Sequence, residues 1–195
     1  MSLDCGALFL EVSRTFRQLA ASDYGRSMEA AAELVSAAFA GGHKLLVFGN
    51  GGSASDAQHI CAELVGRFLL ERPGLPAIAL TENAAVLTAW ANDYAYESVF
   101  ARQVQALGRP GDVAWGISTS GTSKNVIAGL AAAQAAGLHT IGMTGALGGA
   151  LAACSDVLLR APASATARIQ EVHVVTYHAI CAAVEERMAT LGVRA

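Results

Sequence analysis

The chain is poor in charge. Lys, Arg, Asp and Glu make up only 15% of its 195 residues, whereas 53% are hydrophobic. Soluble domains ordinarily carry about 25% charged residues, so we expect part of the apolar surface to be buried in a homo-oligomer. The net charge of −3 also lacks the excess of Lys and Arg that binding to a nucleic-acid backbone requires. Nucleic acid is therefore not an expected partner.

The sequence also lacks paired cysteines, a secretory leader and a membrane span. Its four cysteines show no CxxC pair, and we expect them to be reduced residues of the core: Cys5, Cys61, Cys154 and Cys181. The opening MSLDCGALFLEVSRTF has no basic region, which argues against a signal peptide. The uncharged stretch 125–155 is broken by six glycines, so no membrane helix is predicted. The expected location is the cytoplasm.

Short apolar segments alternate with helical ones after residue 43. Strands are predicted at 44–48, 77–80, 112–117, 139–143 and 156–160, and helices at 56–68, 84–91, 97–107, 125–136, 150–153 and 165–188. This alternation indicates right-handed crossovers and a parallel sheet covered on both faces. The prediction is one three-layer α/β domain over 1–195. Residues 1–42 form a helical extension for packing or oligomer contacts, with its second helix (27–40) ending at Gly41-Gly42, and 43–195 form the core.

Small residues follow three of the predicted strands: GNGGSAS after the first, STSGTS (118–123) after the third and TGALGG (144–149) after the fourth. Ligands of open α/β sheets bind at the carboxyl ends of the strands, so these loops are expected to form one pocket. The second loop has five hydroxyls in six residues just before a helix. Hydroxyls, a glycine and a helix N-terminus together favour a phosphate site. The alternative is a Ser/Thr-rich turn that only caps the helix.

The expected phosphate belongs to a small molecule and not to a nucleotide. No Lys stands in the GxxxxGK[ST] spacing of an NTP-binding loop. A dinucleotide site would need an acidic residue at the end of the second strand, but Glu71 precedes that strand and Glu82 follows it late. No nucleotide cofactor is therefore predicted, and the uncharged loop favours a phosphate monoester on a sugar.

Groups that can move protons are found on two predicted helices. His59 and Glu63 are four residues apart and share one helix face, while Gln170 and His178 stand among apolar neighbours on the last helix. A single helical His is more often structural than catalytic, but buried polar groups need partners. Those partners could be one another, a metal or a substrate. A carboxylate and an imidazole facing a sugar phosphate suggest proton abstraction beside a carbonyl.

Four motifs, GNGGSASDAQHICAEL, TAWANDY, GISTSGTSKNVI and ARIQEVHVVTYH, resemble the phosphoheptose isomerases of the sugar-isomerase (SIS) fold, from about His43 to Glu185. The resemblance implies a five-stranded parallel sheet between helices. It implies isomerisation of sedoheptulose 7-phosphate to D-glycero-D-manno-heptose 7-phosphate through an enediol, the first step of nucleotide-activated heptose biosynthesis. The destination of the heptose, a surface polysaccharide such as lipopolysaccharide or a secondary metabolite, stays open. It also implies a homotetramer with active sites between subunits.

The resemblance further implies roles for individual residues. Glu63 falls on the catalytic base and His178 on the partner acid/base. Substrate contacts are implied for Asn50, Gly51, Gly52, Ser53, His59, Glu63, Asn92, Asp93, Ser118, Thr119, Ser120, Ser123 and Gln170. A zinc site proposed for some members of the family matches His59, Glu63, Gln170 and His178. The alternative is a metal-free, hydrogen-bonded cluster of the same residues that only shuttles protons.

A non-enzymatic relative with the same fold, which binds the bacterial replication initiator, resembles the chain over almost its whole length. That adaptor lacks the carboxylate at position 63 and the imidazole at position 178, and both are present here. We therefore predict the isomerase. The adaptor and an isomerase of another sugar phosphate are the alternatives, and Thr122, which replaces a common Asn, leaves the sugar-specificity contacts open.

Overall fold

Five strands form one parallel sheet, which confirms the predicted fold class. The computed structural model describes residues 4–191, and its strands are β1 (Leu45–Gly49), β2 (Ala77–Ala79), β3 (Val113–Ile117), β4 (His139–Thr144) and β5 (Val157–Arg160). They lie in the order β2-β1-β3-β4-β5, all parallel, with Leu45 beside both Ala77 and Val113. The carboxyl ends of all five strands therefore meet at one edge of the sheet.

Seven α-helices cover the two faces of the sheet. They are α1 (Cys5–Ala20), α2 (Tyr24–Ala40), α3 (Gly52–Val65), α4 (Ala84–Asp93), α5 (Val99–Leu107), α6 (Lys124–Ala135) and α7 (Thr166–Thr190), with 3-10 helices at Tyr96–Ser98 and Gly149–Cys154. As predicted, α2 stops at Gly41-Gly42, where Gly42 has a φ of 76°. Between residues 4 and 191 the structure contains no helix that is long and apolar enough to cross a bilayer.

The alternating side chains of the strands build two separate cores. Val47 and Trp115 face one core, which is closed by α2, α3 and α7, and Phe48 faces the other, which is closed by α5 and α6. All five residues of β1 and of β3 are buried, because helices cover the sheet on both sides. This explains why these strands could be recognised as continuous apolar runs.

The helix after β1 differs at both ends from its predicted bounds of 56–68. Gly51 takes a φ of 56°, and the first helical turn follows it at once, so Gly52 and Ser53 belong to α3. At the other end, the backbone N–H of Phe68 is bonded to the side chain of Glu185 and not to a helix carbonyl. The helix therefore stops at Val65, and 66–76 form an irregular connection to β2.

The cysteines are all free thiols, but the prediction that all four lie in the core is wrong for two of them. Cys61 on α3 and Cys181 on α7 are buried, and burial raises the pKa of each thiol to about 12. Cys5 is exposed in the first turn of α1, and Cys154 is only half-buried. The outward side of an amphipathic helix explains the position of Cys5.

Candidate active site

The turn between β1 and α3 brings bare backbone to the carboxyl edge of the sheet. Two of its glycines leave no room for side chains: a Cβ on Gly52 would overlap the Nε2 atom of Gln170, which reaches over the turn from α7. A Cβ on Gly49 would come within 2.7 Å of the Ser53 carbonyl oxygen and 2.9 Å of the Ile117 carbonyl oxygen. The structure thus places the predicted Gly51, Gly52, Ser53 and Gln170 together.

Asn50 links this turn to the next loop. Its amide forms a reciprocal pair with the amide of Asn125, with both N–H···O distances at 2.8 Å. The hydroxyl of Tyr96 also donates to Asn50 Oδ1, at 3.0 Å. The side chain of Asn50 therefore holds two loops together, a role that the sequence did not suggest. Asn125, the second residue of α6, was not predicted as a site residue.

The hydroxyl loop (residues 118–123) lies at the N-terminus of α6, as predicted. Ser118 is buried and donates to Ser123 Oγ at 2.9 Å, with Ser120 Oγ 3.4 Å away. The backbone N–H of Thr122 donates to Ser120 Oγ at 3.2 Å. No charged side chain stands within this loop, so its hydroxyls, backbone N–H groups and the helix dipole are what it offers an anion.

The third small-residue loop (residues 144–149) packs against the backbone of the hydroxyl loop. Gly121 has a φ of 68° and packs so tightly that a Cβ on it would overlap the Gly148 carbonyl. The N–H of Gly145 donates to Thr119 O at 3.1 Å. These contacts fix the backbone of the hydroxyl loop. The hydroxyl loop thus rests on the third loop, while one pocket shared by all three loops stays a prediction.

A second cluster of predicted residues lies between α3 and α7. His59 Nε2 is 2.8 Å from Glu63 Oε1 and 3.5 Å from His178 Nε2. One ligand atom from each of these three residues lies within 4.8 Å of the others. His59 is the most exposed of the three, and Glu63 is mostly covered. A carboxylate and two imidazoles at this spacing can exchange protons or share one cation.

Two residues that the sequence did not single out stand behind this cluster. The buried Tyr177 hydroxyl is 2.9 Å from His59 Nδ1. Burial and the negative charge of Asp56 raise the pKa of Tyr177 well above its ordinary value, so the phenol keeps its proton. Burial also raises the pKa of Asp56 to about 6, against the opposing effect of His59. The position of Tyr177 beside His178 was the available signal.

The predicted residues do not all converge within one chain. Gln170 lies eight residues before His178 on α7, which separates their Cα atoms by about 12 Å along the helix. Gln170 is therefore with the glycine turn and not with His59, Glu63 and His178. Asn92 and Asp93 are exposed in the last turn of α4, on the opposite face of the sheet. Their contact with a substrate stays a prediction.

Comparison with known proteins adds independent findings. The SIS domain family matches residues 9–145. The phosphoheptose isomerase of Crocosphaera subtropica is 55% identical over 85% of this chain and 84% of its own length. A solved phosphoheptose isomerase from Neisseria gonorrhoeae is 44% identical with a TM-score of 0.86, and one from Francisella tularensis is 35% identical with a TM-score of 0.89. Each structure aligns over 93% of this chain and 96% of its own.

The contacts of the glycine turn predict unequal losses of stability for two similar substitutions. Gly49→Ala would press a Cβ against two backbone carbonyls. Backbone atoms cannot turn aside as a flexible side chain can, so we expect the free energy of unfolding to fall by about 1–3 kcal/mol. Gly52→Ala meets only the end of the flexible Gln170 side chain, so we expect a loss of less than about 1 kcal/mol and a displaced Gln170. Urea unfolding of both variants checks the prediction. Equal losses for the two would contradict it.

Proposed function

The chain belongs to the SIS-domain family and to its phosphoheptose isomerases, and from this premise we propose that it interconverts sedoheptulose 7-phosphate and D-glycero-D-manno-heptose 7-phosphate. The observation that carries the proposal is the presence of both required parts. One is a neutral hydroxyl loop at a helix N-terminus, and the other is a Glu63–His59–His178 cluster within hydrogen-bond distance. A binding protein for the same sugar would need only the first part.

In this proposal the hydroxyl loop binds the phosphate. Ser118, Thr119, Ser120 and Ser123 supply hydroxyls, and the N-terminus of α6 supplies backbone N–H groups and the positive end of its dipole. The loop has no Lys or Arg of its own, so the hydrogen bonds must carry most of the recognition. Gly51, Gly52, Ser53, Gln170, Asn92 and Asp93 are proposed to contact the sugar, and Asn50 is proposed to hold the turn in place.

Proton transfer between C1 and C2 of the sugar is assigned to Glu63 and His178. Glu63 takes a proton from C1 of the ketose while His178 gives a proton to the O2 oxygen, which yields an enediol. Glu63 then returns its proton to C2, and His178 takes the proton from O1, which leaves the aldose. Each side chain ends in the protonation state in which it began. General acid–base catalysis of this kind contributes about 10²–10⁴ in rate.

The site is proposed to be completed by a second subunit. Glu63 lies eleven residues beyond Gly52 on α3, so their Cα atoms are about 16 Å apart along the helix. The glycine turn and Glu63 are therefore near opposite ends of α3, and we propose that a sugar held at one hydroxyl loop meets Glu63 of a neighbour. We propose a homotetramer, which predicts a light-scattering mass well above the 20.0 kDa of one chain.

Zinc is the proposed metal of the Glu63 cluster. In a tetrahedral site with Zn–N distances of about 2.0–2.1 Å, two nitrogens lie about 3.3 Å apart. The Nε2 atoms of His59 and His178 are 3.5 Å apart, so the residues present fit the ion. Nδ1–H of His59 would then donate to the Tyr177 hydroxyl and fix the metal-binding tautomer. A metal ligand must be deprotonated, so bound zinc would stabilise negative charge on the sugar oxygens as a Lewis acid in place of the proton that His178 gives to O2 in the metal-free cluster. Within one chain Gln170 lies with the glycine turn, so it could serve as a fourth ligand only from a neighbouring subunit.

Two alternatives are less well supported. An adaptor that only binds another protein has no use for a carboxylate and two imidazoles grouped at 2.8 and 3.5 Å. An isomerase of another sugar phosphate would share every feature of the hydroxyl loop, and the named relatives favour the heptose. Sugar phosphates are charged and do not cross membranes, so we propose the cytoplasm as the compartment and nucleotide-activated heptose biosynthesis as the route that consumes the product.

The carboxylate of Glu63 gives the first prediction for the enzyme. Glu63→Gln preserves the shape of the side chain and removes the base, so kcat for sedoheptulose 7-phosphate is expected to fall by about 10²–10⁴ with little change in KM. Steady-state kinetics beside Glu71→Gln, an equivalent change at a highly exposed position, provide the measurement and its control. Turnover within threefold of the wild type would remove Glu63 from this role.

The hydroxyl loop gives the converse prediction. Ser120→Ala removes a hydroxyl that faces the proposed phosphate, so KM is expected to rise by about fivefold or more, equivalent to about 1 kcal/mol or more of hydrogen bonding. The kcat should change much less, because Glu63 and His178 are untouched. Ser13→Ala on α1 is the matched control. A normal KM for Ser120→Ala would place the phosphate elsewhere.

Zinc occupancy is tested by elemental analysis of protein purified without a histidine tag. We expect about one zinc per chain, and a His59→Asn variant is expected to lose it because the variant removes one of the two imidazoles. Full activity after chelation, with less than a tenth of an equivalent of metal left, would contradict the proposal that zinc is required at this cluster. The same residues would then act as a metal-free acid–base cluster.

A further inference from the structure

A buried ion pair lies behind the Glu63–His178 cluster, where the segment 66–76 connects α3 to β2. Arg72 belongs to this segment, and Glu185 stands two turns beyond His178 on α7. The Nε atom of Arg72 is 3.2 Å from Glu185 Oε1, and the two side chains are only 3% and 1% exposed. Burying two charges is costly unless each finds further partners, so their other contacts are informative.

Glu185 forms hydrogen bonds with the backbone of the connecting segment. Its carboxylate accepts three consecutive backbone N–H groups, from Phe68 at 2.9 Å, Leu69 at 2.6 Å and Leu70 at 2.8 Å. Burial alone would raise the pKa of Glu185, but these three bonds and the Arg72 charge outweigh it and hold the pKa below its ordinary value. The carboxylate is therefore charged, and it fixes the position of the segment relative to α7.

Arg72 forms hydrogen bonds with the backbone carbonyls at the end of α3. Its Nη2 atom donates to the carbonyl oxygen of Glu63 at 2.8 Å, and Nη1 donates to Leu64 O at 2.7 Å and Gly66 O at 3.0 Å. The last carbonyls of a helix lack partners within the helix, and the planar fork of an arginine can reach several of them at once. The first of these carbonyls belongs to the proposed base itself.

The same segment also contacts the proposed acid. The ring of Phe68 stacks on the imidazole of His178, with ring centres 5.4 Å apart and planes inclined by 22°. Phe68 is the first of the residues whose N–H is bound by Glu185. The Arg72–Glu185 ion pair thus contacts both parts of the cluster. Arg72 holds the backbone of Glu63, and Glu185 holds the backbone of Phe68, whose ring stacks on His178.

We propose that Arg72 and Glu185 are positioning residues for the isomerisation, which fix the distance and orientation between Glu63 and His178. This inference rests on the proposed function. Neither residue touches the cluster's reacting atoms, so the pair acts through the Glu63 carbonyl and through Phe68. Small displacements of catalytic groups cost up to about 10² in rate, whereas the hydroxyl loop at the edge of the sheet is independent of the pair.

Two variants test the two contacts, that of Arg72 with the end of α3 and that of Phe68 with His178. Arg72→Lys keeps the positive charge beside Glu185 but cannot reach several carbonyls at once, and Phe68→Leu keeps an apolar side chain but removes the ring. For each, kcat with sedoheptulose 7-phosphate is expected to fall by about 10- to 100-fold, while KM stays within about threefold. The imidazole resonance of His178, assigned with a His178→Asn variant, is expected to move in both, and that of the exposed His139 is not.

Controls separate positioning from loss of stability. Glu71→Gln changes an exposed residue of the same segment and should behave as the wild type. Val104→Ala creates a cavity in the other core of the sheet, so it should lower thermal stability but keep kcat at a temperature where the protein is folded. If Arg72→Lys and Phe68→Leu retain the kcat and the His178 resonance of the wild type, or lose no more kcat than Val104→Ala, the proposal is overturned.

Two further results are interpretable. Should Arg72→Lys fail to fold, Phe68→Leu decides by its kcat, because the loss of its ring current moves the His178 resonance in any case. Should the wild-type protein fail to turn over sedoheptulose 7-phosphate, the proposed function fails, but the His178 resonance in Arg72→Lys, which keeps the Phe68 ring, still decides whether the ion pair positions this imidazole. A shifted resonance would then support the positioning, and an unshifted one would refute it.

Discussion

The packing of α7 against α3 is the interaction on which the proposed chemistry depends. The two helices run in the same direction, so Gln170 lies over the glycine turn at the start of α3, and Tyr177 and His178 lie beside His59 two turns later. Glu185 then reaches the segment that follows α3. One 25-residue helix thus supports the glycine turn, the Glu63–His59–His178 cluster and the connection behind it. A shift of α7 by one residue would disrupt all three.

Close backbone packing is the second constraint, and it acts at the edge of the sheet. Gly49 packs against the carbonyls of Ser53 and Ile117, and Gly121 packs against the carbonyl of Gly148. The glycine turn and the hydroxyl loop are therefore closely packed at the edge of the sheet. The reciprocal amide pair of Asn50 and Asn125 connects them. The proposed phosphate site, made of neutral groups, needs this close packing, because hydroxyls and N–H groups bind strongly only when they already point to one place. For the Glu63–His59–His178 cluster, we propose that the buried Arg72–Glu185 pair has the corresponding role.

Much of the fold could be predicted from the sequence, and the reason is physical. Strands such as β1 and β3 are buried on both faces, and their apolar runs show it directly, while the hydroxyl loop is visible as a local pattern. Long-range partners are not visible in this way. Asn125, Tyr177 and Glu185 bond to residues at least 75 positions distant, and no local pattern marks such pairs. The start of α3 was placed four residues late because Gly52 and Ser53 are poor helix formers.

Hydrogen exchange at carbon shows whether this chain moves a proton between C1 and C2 of a seven-carbon sugar phosphate through an enediol. Purified protein would be incubated with sedoheptulose 7-phosphate in D₂O, and the sugars followed by NMR. We expect D-glycero-D-manno-heptose 7-phosphate with deuterium at C2, since a carboxylate that holds the proton can exchange it with solvent. Tight binding of the sugar without conversion, or conversion at equilibrium with no deuterium at C2, would contradict it.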